Sequence, residues 1–277
     1  MATKMNLIKK LLTALVFCFV NSPLTAHEQV HTATYLGNEA VLVTGTKSKV
    51  LFDPFFHRNF GQYQLVPKHI KSAIMQGKTP YDDIDAIVIS HAHGDHFAAE
   101  EVLSYLQAFP DTKLVAPQQA VDALSELDNS QAIMPQVLSV KLALGDKPIQ
   151  ILVGEITVEA VRIPHAGWPG RADVENLIFR VALDDNLTVM HMGDADANDD
   201  HFLPYKTFWQ ERESDTAFPP YWFFSSAEGN DILDIIINAR EHIGVHVPIV
   251  VPTSLKKGSK DYFSKPGEKR NVSHQHK

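Results

Sequence analysis

The sequence predicts an α/β or mixed α+β fold in which helices cover the sheets. Strands and helices alternate in both halves of the chain, and several strands are continuous apolar runs, which is typical of strands buried on both faces. The 277 residues, of which 44% are hydrophobic and 21% charged, are enough to bury a full core without disulfides. No composition break or short repeat divides the chain, so one large domain is predicted.

The first half of the chain alternates strands with helices. Residues 40–44 and 49–52 are β-rich and flank a Gly-Thr-Lys-Ser turn, which predicts a hairpin. Residues 86–90 form a continuous apolar run, and the segment after it has apolar residues at helical spacing. The predicted elements are, in order, strands at 40–44 and 49–52, a helix at 67–75, a strand at 86–90, a helix at 97–109, a strand at 113–116 and a helix at 117–127.

The second half is predicted to repeat this pattern and to end in a polar tail. Its predicted elements are strands at 149–153, 156–163, 176–183 and 187–192, a helix at 232–242 and a last buried strand at 249–251. Residues 256–277 are polar and rich in Lys, Ser and Gly, so we expect a partly ordered tail there. The folded domain is therefore predicted to span residues 27–255.

Residues 1–26 are typical of a secretory signal peptide. Three lysines precede an apolar segment at 11–20, and small or polar residues lead to a cleavage position after Ala26. The apolar segment is too short to span a bilayer, which disfavours the alternative of a retained membrane anchor. Cleavage would remove Cys18, the only cysteine, and leave a chain suited to an oxidising compartment. We therefore predict a bacterial periplasmic or secreted protein.

Composition and charge restrict the expected partners. The formal net charge of −8 and the isoelectric point near 5.9 argue against nucleic-acid binding, because nucleic-acid-binding proteins normally carry a basic surface. No apolar stretch reaches the roughly 20 residues of a membrane span, so no stable membrane insertion is expected after signal removal. A small-molecule substrate is the expected partner, and no pattern in the sequence indicates an oligomeric state.

The segment His91-Ala92-His93-Gly94-Asp95-His96 follows the predicted buried strand at 86–90 directly. It places four potential metal ligands within six residues, at a turn from strand to helix. Imidazole and carboxylate groups suit zinc, and a ligand set without thiolate can also hold iron or manganese. The sequence therefore predicts a site for one or two metal ions, with zinc as the first candidate.

This motif, H-x-H-x-D-H after a hydrophobic strand, resembles that of the metallo-β-lactamase superfamily. Tyr35-Leu36-Gly37, Asp53-Pro54, Ile163-Pro164-His165 and Met192-Gly193-Asp194 are similar to other motifs of the same superfamily. Their order and spacing most resemble the broad hydrolase branch that includes ascorbate-phosphate lactonases and N-acyl-phosphatidylethanolamine phospholipases. The resemblance implies a four-layer αββα sandwich with the metals held between the edges of the two sheets.

The resemblance also implies a role for each of six residues. It implies a first metal held by His91, His93 and His165, a second metal held by Asp95 and His96, and Asp194 as the bridge between them. The superfamily normally adds a last histidine after its final strand, but Ser254 stands where that histidine is expected. His246 and His201 are possible substitutes, and His246 is predicted to lie at the wrong end of the last strand.

The implied activity is hydrolysis of an ester-like bond, such as that of a lactone, ester, amide or phosphodiester. A bound metal lowers the pKa of water so that hydroxide forms near neutral pH, and Asp95 would orient that hydroxide or act as general base. The missing histidine at Ser254 motivates an alternative, a non-catalytic metal-binding or sensory protein on the same fold.

Four further side chains are candidates for roles around the metals. Trp168 and Arg171 follow His165 closely and are predicted to contact substrate, although a rigid surface loop explains them equally well. Asp53 either orients a ligand histidine or caps a turn. His191 is predicted to be a core histidine or one that supports the ligands from behind, because strand alternation places it on the same face as Val189.

Overall fold

The computed structural model of the chain describes residues 31–184 and 187–272. The predicted signal peptide and its cleavage site lie outside these residues. Within the described ranges, no helix is both long and apolar enough to cross a membrane.

Fourteen strands are found in the described residues, and they form two sheets of seven strands each. The order in the first sheet is β14-β1-β2-β3-β4-β5-β6, and the order in the second is β13-β12-β11-β10-β9-β8-β7. The strands are β1 Thr32–Gly37, β2 Ala40–Thr44, β3 Lys49–Phe52, β4 Ala86–Val88, β5 Lys113–Pro117, β6 Val137–Val140, β7 Ile149–Val153, β8 Ile156–Arg162, β9 Leu177–Leu183, β10 Leu187–His191, β11 Ser214–Phe218, β12 Ala239–Gly244, β13 Asp261–Tyr262 and β14 Lys269–Asn271.

Helices occupy the outer faces of the two sheets. The α-helices are α1 Lys68–Met75, α2 Ala99–Ala108, α3 Gln118–Ser125, α4 Lys206–Gln210, α5 Ala227–Asp231 and α6 Thr253–Lys257. Short 3₁₀ turns occur at Ser130–Gln136, Asp199–His201, Leu203–Tyr205 and Tyr221–Ser225, and a single π turn follows α5 at Ile232–Ile236.

The apolar runs of the strands in the first sheet divide between two cores. In β3, Val50 and Phe52 pack into the core between the sheets, whereas Leu51 packs under the helices of the first outer layer. The same alternation in β4 sends Val88 inward and Ile87 outward. Because both faces of these strands are buried, a continuous apolar run is required. A third core lies under the helices of the second sheet, so the predicted four-layer αββα sandwich is confirmed.

The sequence-based prediction is wrong near the end of the second sheet. The predicted helix at 232–242 stops early, and its last residues belong to strand β12. The predicted buried strand at 249–251 is a loop, in which the Val250 side chain is 81% exposed. Strand β12 neighbours the two-residue edge strand β13, and Arg240 and Glu241 are exposed, so its sequence lacks the apolar character of a central strand.

The segment predicted as a polar tail belongs to both sheets. Strand β14 pairs antiparallel with β1, so that Asn271 is opposite Thr32. Strand β13 pairs parallel with β12, where Asp261 is opposite Ile243. Val272 and Phe263 are buried in the core between the sheets. The domain therefore extends at least to residue 272, and the predicted boundary at 255 is wrong.

The second outer layer contains a buried arginine. Arg180 on β9 is almost fully buried, and its Nε donates to Glu159 Oε2 at 2.6 Å. Its Nη1 donates to the backbone carbonyls of Phe208, Trp209 and Arg212 at 3.0–3.2 Å. The guanidinium thus joins the sheet to the end of α4 and satisfies carbonyls that the helix leaves without partners.

Replacing Arg180 by methionine is expected to lower the free energy of unfolding by about 3 kcal/mol, because three carbonyls lose their donor and Glu159 keeps only the more distant Arg212, at 3.7 Å, in a buried region. Urea denaturation measures the change. The matched control is Arg240→Met, which breaks a surface ion pair with Glu213 and should change the free energy by less than about 1 kcal/mol. Equal losses of unfolding free energy in the two variants would contradict the structural role assigned to Arg180.

Candidate metal centre

The predicted site residues lie in loops that directly follow strands. The histidine-rich motif follows β4 of the first sheet, whereas His165 and Asp194 follow β8 and β10 of the second. The two loops of the second sheet are joined by hydrogen bonds from Ala166 N to Asp194 O at 2.7 Å and from Asp196 N to Pro164 O at 2.8 Å. The ends of both sheets therefore contribute to one site.

A first group of ligand atoms comes from His91, His93 and His165, and these atoms lie within 4.8 Å of one another. His91 Nε2 is 3.1 Å from His93 Nδ1, and the rings of His93 and His165 have centroids 4.7 Å apart. This is the set that the resemblance implies for the first metal.

A second group combines three predicted residues, Asp95, His96 and Asp194, with His246. His246 Nε2 lies 3.1 Å from Asp194 Oδ1 and 3.5 Å from Asp95 Oδ2. His96 Nε2 lies 3.3 Å from the same Asp194 oxygen. All four side chains are buried.

Asp194 lies between the two groups. Its Oδ2 is 3.3 Å from His165 Nε2 and 3.9 Å from His91 Nε2, in the first group. Its Oδ1 faces His96 and His246 of the second group. One carboxylate therefore contacts both groups with different oxygens, which is the arrangement expected of a bridging ligand.

The backbone at Gly193 brings Asp194 into this position. Gly193 has a φ of 52°, in the left-handed region, and a Cβ there would lie 2.5 Å from Asn176 Oδ1 and 2.7 Å from Ser90 Cβ. Only glycine fits this conformation and this close approach. Asn176 Oδ1 also accepts a hydrogen bond from Asp194 N at 3.0 Å, which fixes the backbone next to the carboxylate.

Sequence reasoning placed the last histidine wrongly. His246 follows the true last long strand, β12, and adopts a left-handed φ of 57°. Its backbone N donates to Asn38 O at 3.0 Å, and Asn38 Nδ2 donates to Asp95 O at 2.9 Å. Ser254 is exposed on α6 and belongs to neither group. A histidine is therefore present after the last long strand, and a correct boundary for β12 would have revealed it.

The unsatisfied polar atoms of the site fit metal ligands. Four buried atoms that face one another have no hydrogen-bond partner in the described chain: His96 Nε2, His165 Nε2, His246 Nε2 and Asp194 Oδ1. Buried polar atoms are normally paired, so their convergence requires an explanation. Ligands bound at about 2.0–2.1 Å around a tetrahedral ion are roughly 3.3 Å apart, which agrees with the separations of 3.1–3.3 Å from Asp194.

The charge of the site also fits bound cations. Four carboxylates, Glu39, Asp53, Asp95 and Asp194, are buried in it or directly behind it. Among the described residues their ion-pair partners are histidines, with no lysine or arginine. Uncompensated buried carboxylates are costly, and bound divalent cations would balance those that are ionised. Glu39 is not counted among these, because burial raises its pKa well above the usual range.

The pKa values of the histidines in the site show the influence of the buried carboxylates and of burial itself. Burial disfavours the charged form of His246, but the charge of Asp194 outweighs burial and raises the pKa of His246 to about 9. The pKa of His96 is raised well above its usual range by Asp194 in the same way, against the effect of burial. His91 has the opposite shift, because burial and the neighbouring His96 lower its pKa.

Side chains behind the site hold the ligand residues in place. Asp53 accepts hydrogen bonds from Ser90 N at 2.7 Å and Ser90 Oγ at 2.5 Å, and its Oδ2 lies 2.8 Å from His96 Nδ1. Asp53 therefore orients His96, which settles the two alternatives that its sequence position left open. His191 is fully buried, stacks on Phe52 with ring centroids 4.9 Å apart, and has its Nε2 3.0 Å from Glu39 O, in agreement with a supporting role.

Replacing Asp53 by alanine is expected to weaken metal binding by about 10- to 100-fold, because His96 loses the partner that fixes its ring orientation. Competition with a chromogenic chelator measures the affinity. The control is Asp184→Ala, which removes a carboxylate that also accepts backbone hydrogen bonds, from Thr46 and Lys47, but lies in neither metal group. A loss of affinity in the control as large as that in Asp53→Ala would show that the effect is indirect.

A cavity of about 970 Å³ opens over the two groups. His93, Asp95, His165 and Arg171 are among the residues that line it, and the contact of Arg171 with substrate stays a prediction. Trp168 does not line it; its ring packs against His201 with centroids 5.6 Å apart, so the structure gives no support to its predicted contact. His201 joins neither metal group, and its Nε2 lies 3.7 Å from Asp196 Oδ1.

Comparison with known proteins agrees with this geometry. A family model described as β-lactamase superfamily domain matches residues 32–206, more than half of the chain. The chain belongs to the metallo-β-lactamase superfamily. The match includes the histidine-rich motif, His165 and Asp194 but ends before β12, so His246 lies outside it.

Individual relatives of this superfamily are distant. A UPF0173 metal-dependent hydrolase of Pyrococcus horikoshii is 26% identical over 163 residues, which cover 58% of this chain and 60% of that protein. Among solved structures, the metallo hydrolase Igni18 of Ignicoccus hospitalis has a TM-score of 0.60 at 15% identity and covers 89% of this chain and all of that one. The metallo-β-lactamase fold protein YhfI of Bacillus subtilis has a TM-score of 0.58 at 14% identity, with 88% and 99% covered. These structures establish the fold that the chains share.

Proposed function

We propose that the protein is a metal-dependent hydrolase that binds two metal ions and cleaves an ester-like bond in a small molecule. The observation that carries this proposal is the convergence of seven side chains into two groups that share Asp194. The proposed ligands are His91, His93 and His165 for the first ion and Asp95, His96 and His246 for the second, with Asp194 between them. A relative named as a metal-dependent hydrolase supports the same reaction class.

The chain's own residues would carry out the remaining chemistry, above all the acceptance of a proton. A metal bound here supplies a Lewis acid and lowers the pKa of water, so that a nucleophile forms near neutral pH. Burial raises the pKa of Asp95, but the nearby imidazoles of His246 and His96 outweigh burial, and the net pKa is lowered. Asp95 is therefore ionised at neutral pH and can accept a proton at its carboxylate during attack on the substrate.

Zinc remains the proposed metal, with iron or manganese as alternatives, because the donors are imidazole and carboxylate groups without thiolate. The proposed bonds are those of lactones, esters, amides or phosphodiesters. The non-catalytic alternative depended on a missing final ligand at Ser254. His246 provides a fourth member of the second group, so that motivation no longer exists.

We also propose that the protein is exported to the periplasm or secreted. The support is in the sequence alone: the charged start, the short apolar segment and the cleavage position of residues 1–26, together with the absence of cysteine after Cys18. Cell fractionation with a C-terminal tag tests this, and full recovery of an uncleaved chain in the cytoplasm would contradict it.

Removal of metal is the direct test of the hydrolase proposal. We expect about two metal ions per chain in the purified protein, one for each group. A chelator should abolish hydrolysis of a panel of chromogenic esters, lactones and phosphodiesters, and should lower the melting temperature, because ligands that bind only the folded state stabilise it. Readdition of zinc, manganese or iron should restore both properties and identify the effective metal.

The control for this test is His93→Ala, which removes one ligand of the first group. It should lower metal content and activity together, and added metal should not restore activity fully. Full turnover in the metal-free protein would show that the reaction does not use this centre. Bound metal with no turnover on any substrate of the panel would favour the non-catalytic alternative.

A further inference from the structure

Two arginines in the cavity differ from all the others in the chain. The sequence has seven arginines among residues that the structure describes. Five of them form an ion pair with a carboxylate: Arg162 with Glu175, Arg180 and Arg212 with Glu159, Arg240 with Glu213, and Arg270 with Asp261. The other two, Arg58 and Arg171, have no carboxylate partner in the described residues, and both line the cavity over the metal groups.

This absence of partners is unexpected in an acidic chain. The protein has 33 acidic residues against 25 basic ones, so carboxylates are abundant on its surface. The single carboxylate on the cavity wall outside the metal groups is Asp173, which makes no ion pair with either guanidinium among the described residues. Two unpaired guanidiniums therefore face the space that a substrate would occupy.

The two arginines approach the metal groups from two different loops. Arg58 N donates to Gly94 O at 3.0 Å, and the Arg58 side chain crosses Gly94 so closely that a Cβ there would lie 2.7 Å from Arg58 Cδ. Arg171 covers Gly167, with its Cδ 3.5 Å from the position of a Cβ. Gly94 lies between His93 and Asp95, and Gly167 lies two residues after His165.

We propose that the substrate carries, besides the bond to be cleaved, a carboxylate or phosphate group that Arg58 and Arg171 bind. This inference rests on the proposed hydrolase function and names its substrate class. Guanidinium groups present paired donors that match the geometry of carboxylate and phosphate, and hydrogen bonds between charged groups are stronger than those between neutral ones. Phe60 and Trp222 also line the cavity and provide apolar surface for the body of such a molecule.

A binding measurement tests the inference without turnover. Calorimetry on the metal-loaded protein compares glutarate and 4-phosphonobutyrate with monomethyl glutarate, which keeps one carboxylate for the metals and has a neutral second end. We expect at least one of the two dianionic probes to bind about tenfold or more tightly than the monomethyl ester, and Arg58→Gln and Arg171→Gln each to reduce that preference about tenfold. Lysine in place of either arginine should keep part of the preference, because it retains charge but not the paired donors.

The matched control is Arg240→Gln, which changes the net charge equally but lies on β12 outside the cavity. It should retain the wild-type preference. Melting temperatures show whether the exposed Arg58 and Arg171 variants remain folded. Equal binding of charged and neutral probes, no measurable binding of any of them, or a preference that survives in both glutamine variants would overturn the inference.

Hydrolysis separates this inference from the function on which it rests. The paired substrates are 4-nitrophenyl glutarate and its methyl-capped diester. A kcat/KM ratio that favours the charged ester and falls in the arginine variants supports both proposals. Turnover of both esters with a ratio near one in every variant overturns the inference and leaves the hydrolase proposal standing. Arginine-dependent binding with no turnover of either ester supports the anion-binding role of the arginines and counts against the hydrolase proposal.

Discussion

Replacing Asp194 by asparagine should empty much of both metal sites and lower kcat/KM by about three to four orders of magnitude, because each metal contributes several kcal/mol to transition-state stabilisation. The two oxygens of Asp194 face different groups, with His165 on one side and His96 and His246 on the other. Asparagine has a similar shape but keeps one carbonyl oxygen and no negative charge, so it cannot bridge two cations. Elemental analysis should find less than one metal per chain.

The matched control for Asp194→Asn is Asp200→Asn, in the same acidic loop but exposed and outside both groups. It should keep the metal content and kcat/KM of the natural protein. If Asp194→Asn retains about two metals per chain, the two groups bind independently and the bridging role is wrong. Loss of metal and activity in both variants would instead indicate a nonspecific effect of the charge of this loop.

Replacing His246 by asparagine is expected to remove one metal per chain and to lower kcat/KM by at least about 100-fold. Asparagine is chosen because it tolerates the left-handed backbone of this position, where φ is 57°, so the loop should keep its path. The first group does not contain His246, and its ion should remain bound. Metal content and kinetics of the same preparation measure the two effects.

Ser254→Ala is the companion variant, because the sequence pattern pointed to Ser254 for the last ligand position and His246 is the residue now proposed for it. Ser254 is exposed on α6, and its removal should change neither metal content nor kcat/KM. Loss of metal in Ser254→Ala with full metal in His246→Asn would reverse the assignment. Comparable loss of metal in both variants would indicate that the loops carrying Ser254 and His246 both contribute to the site.

The part of the site that was predictable from sequence is the part carried by local motifs. His91, His93, Asp95 and His96 lie within six residues after an apolar strand, and this spacing needs no knowledge of the fold. The resemblance, not the spacing, indicated which distant loops meet this motif. The structure brings His165 and Asp194 to it. Continuous apolar runs also indicate sheets that are covered on both faces, since β3 and β4 bury side chains on both of their faces.

The errors concentrate where a strand is polar. Arg240 and Glu241 are exposed on β12, so hydrophobic pattern could not separate this strand from the helix before it. That boundary error moved the expected last histidine from His246 to Ser254. Arg58 was not a sequence candidate at all, because its nearness to Gly94 arises from long-range folding of its loop and has no local pattern.

The pairing of β14 with β1 has a consequence for the order of folding. Thr32 and Asn271 are neighbours in the first sheet although almost the whole domain separates them along the chain. Contacts between residues so distant in sequence form slowly, because a large loop must be closed first. The edge of the first sheet cannot be completed until β14 has been synthesised, after the other strands that the structure describes. The nascent chain therefore lacks this native sheet edge while strands β1 to β13 are being synthesised, and β1 acquires its partner β14 last.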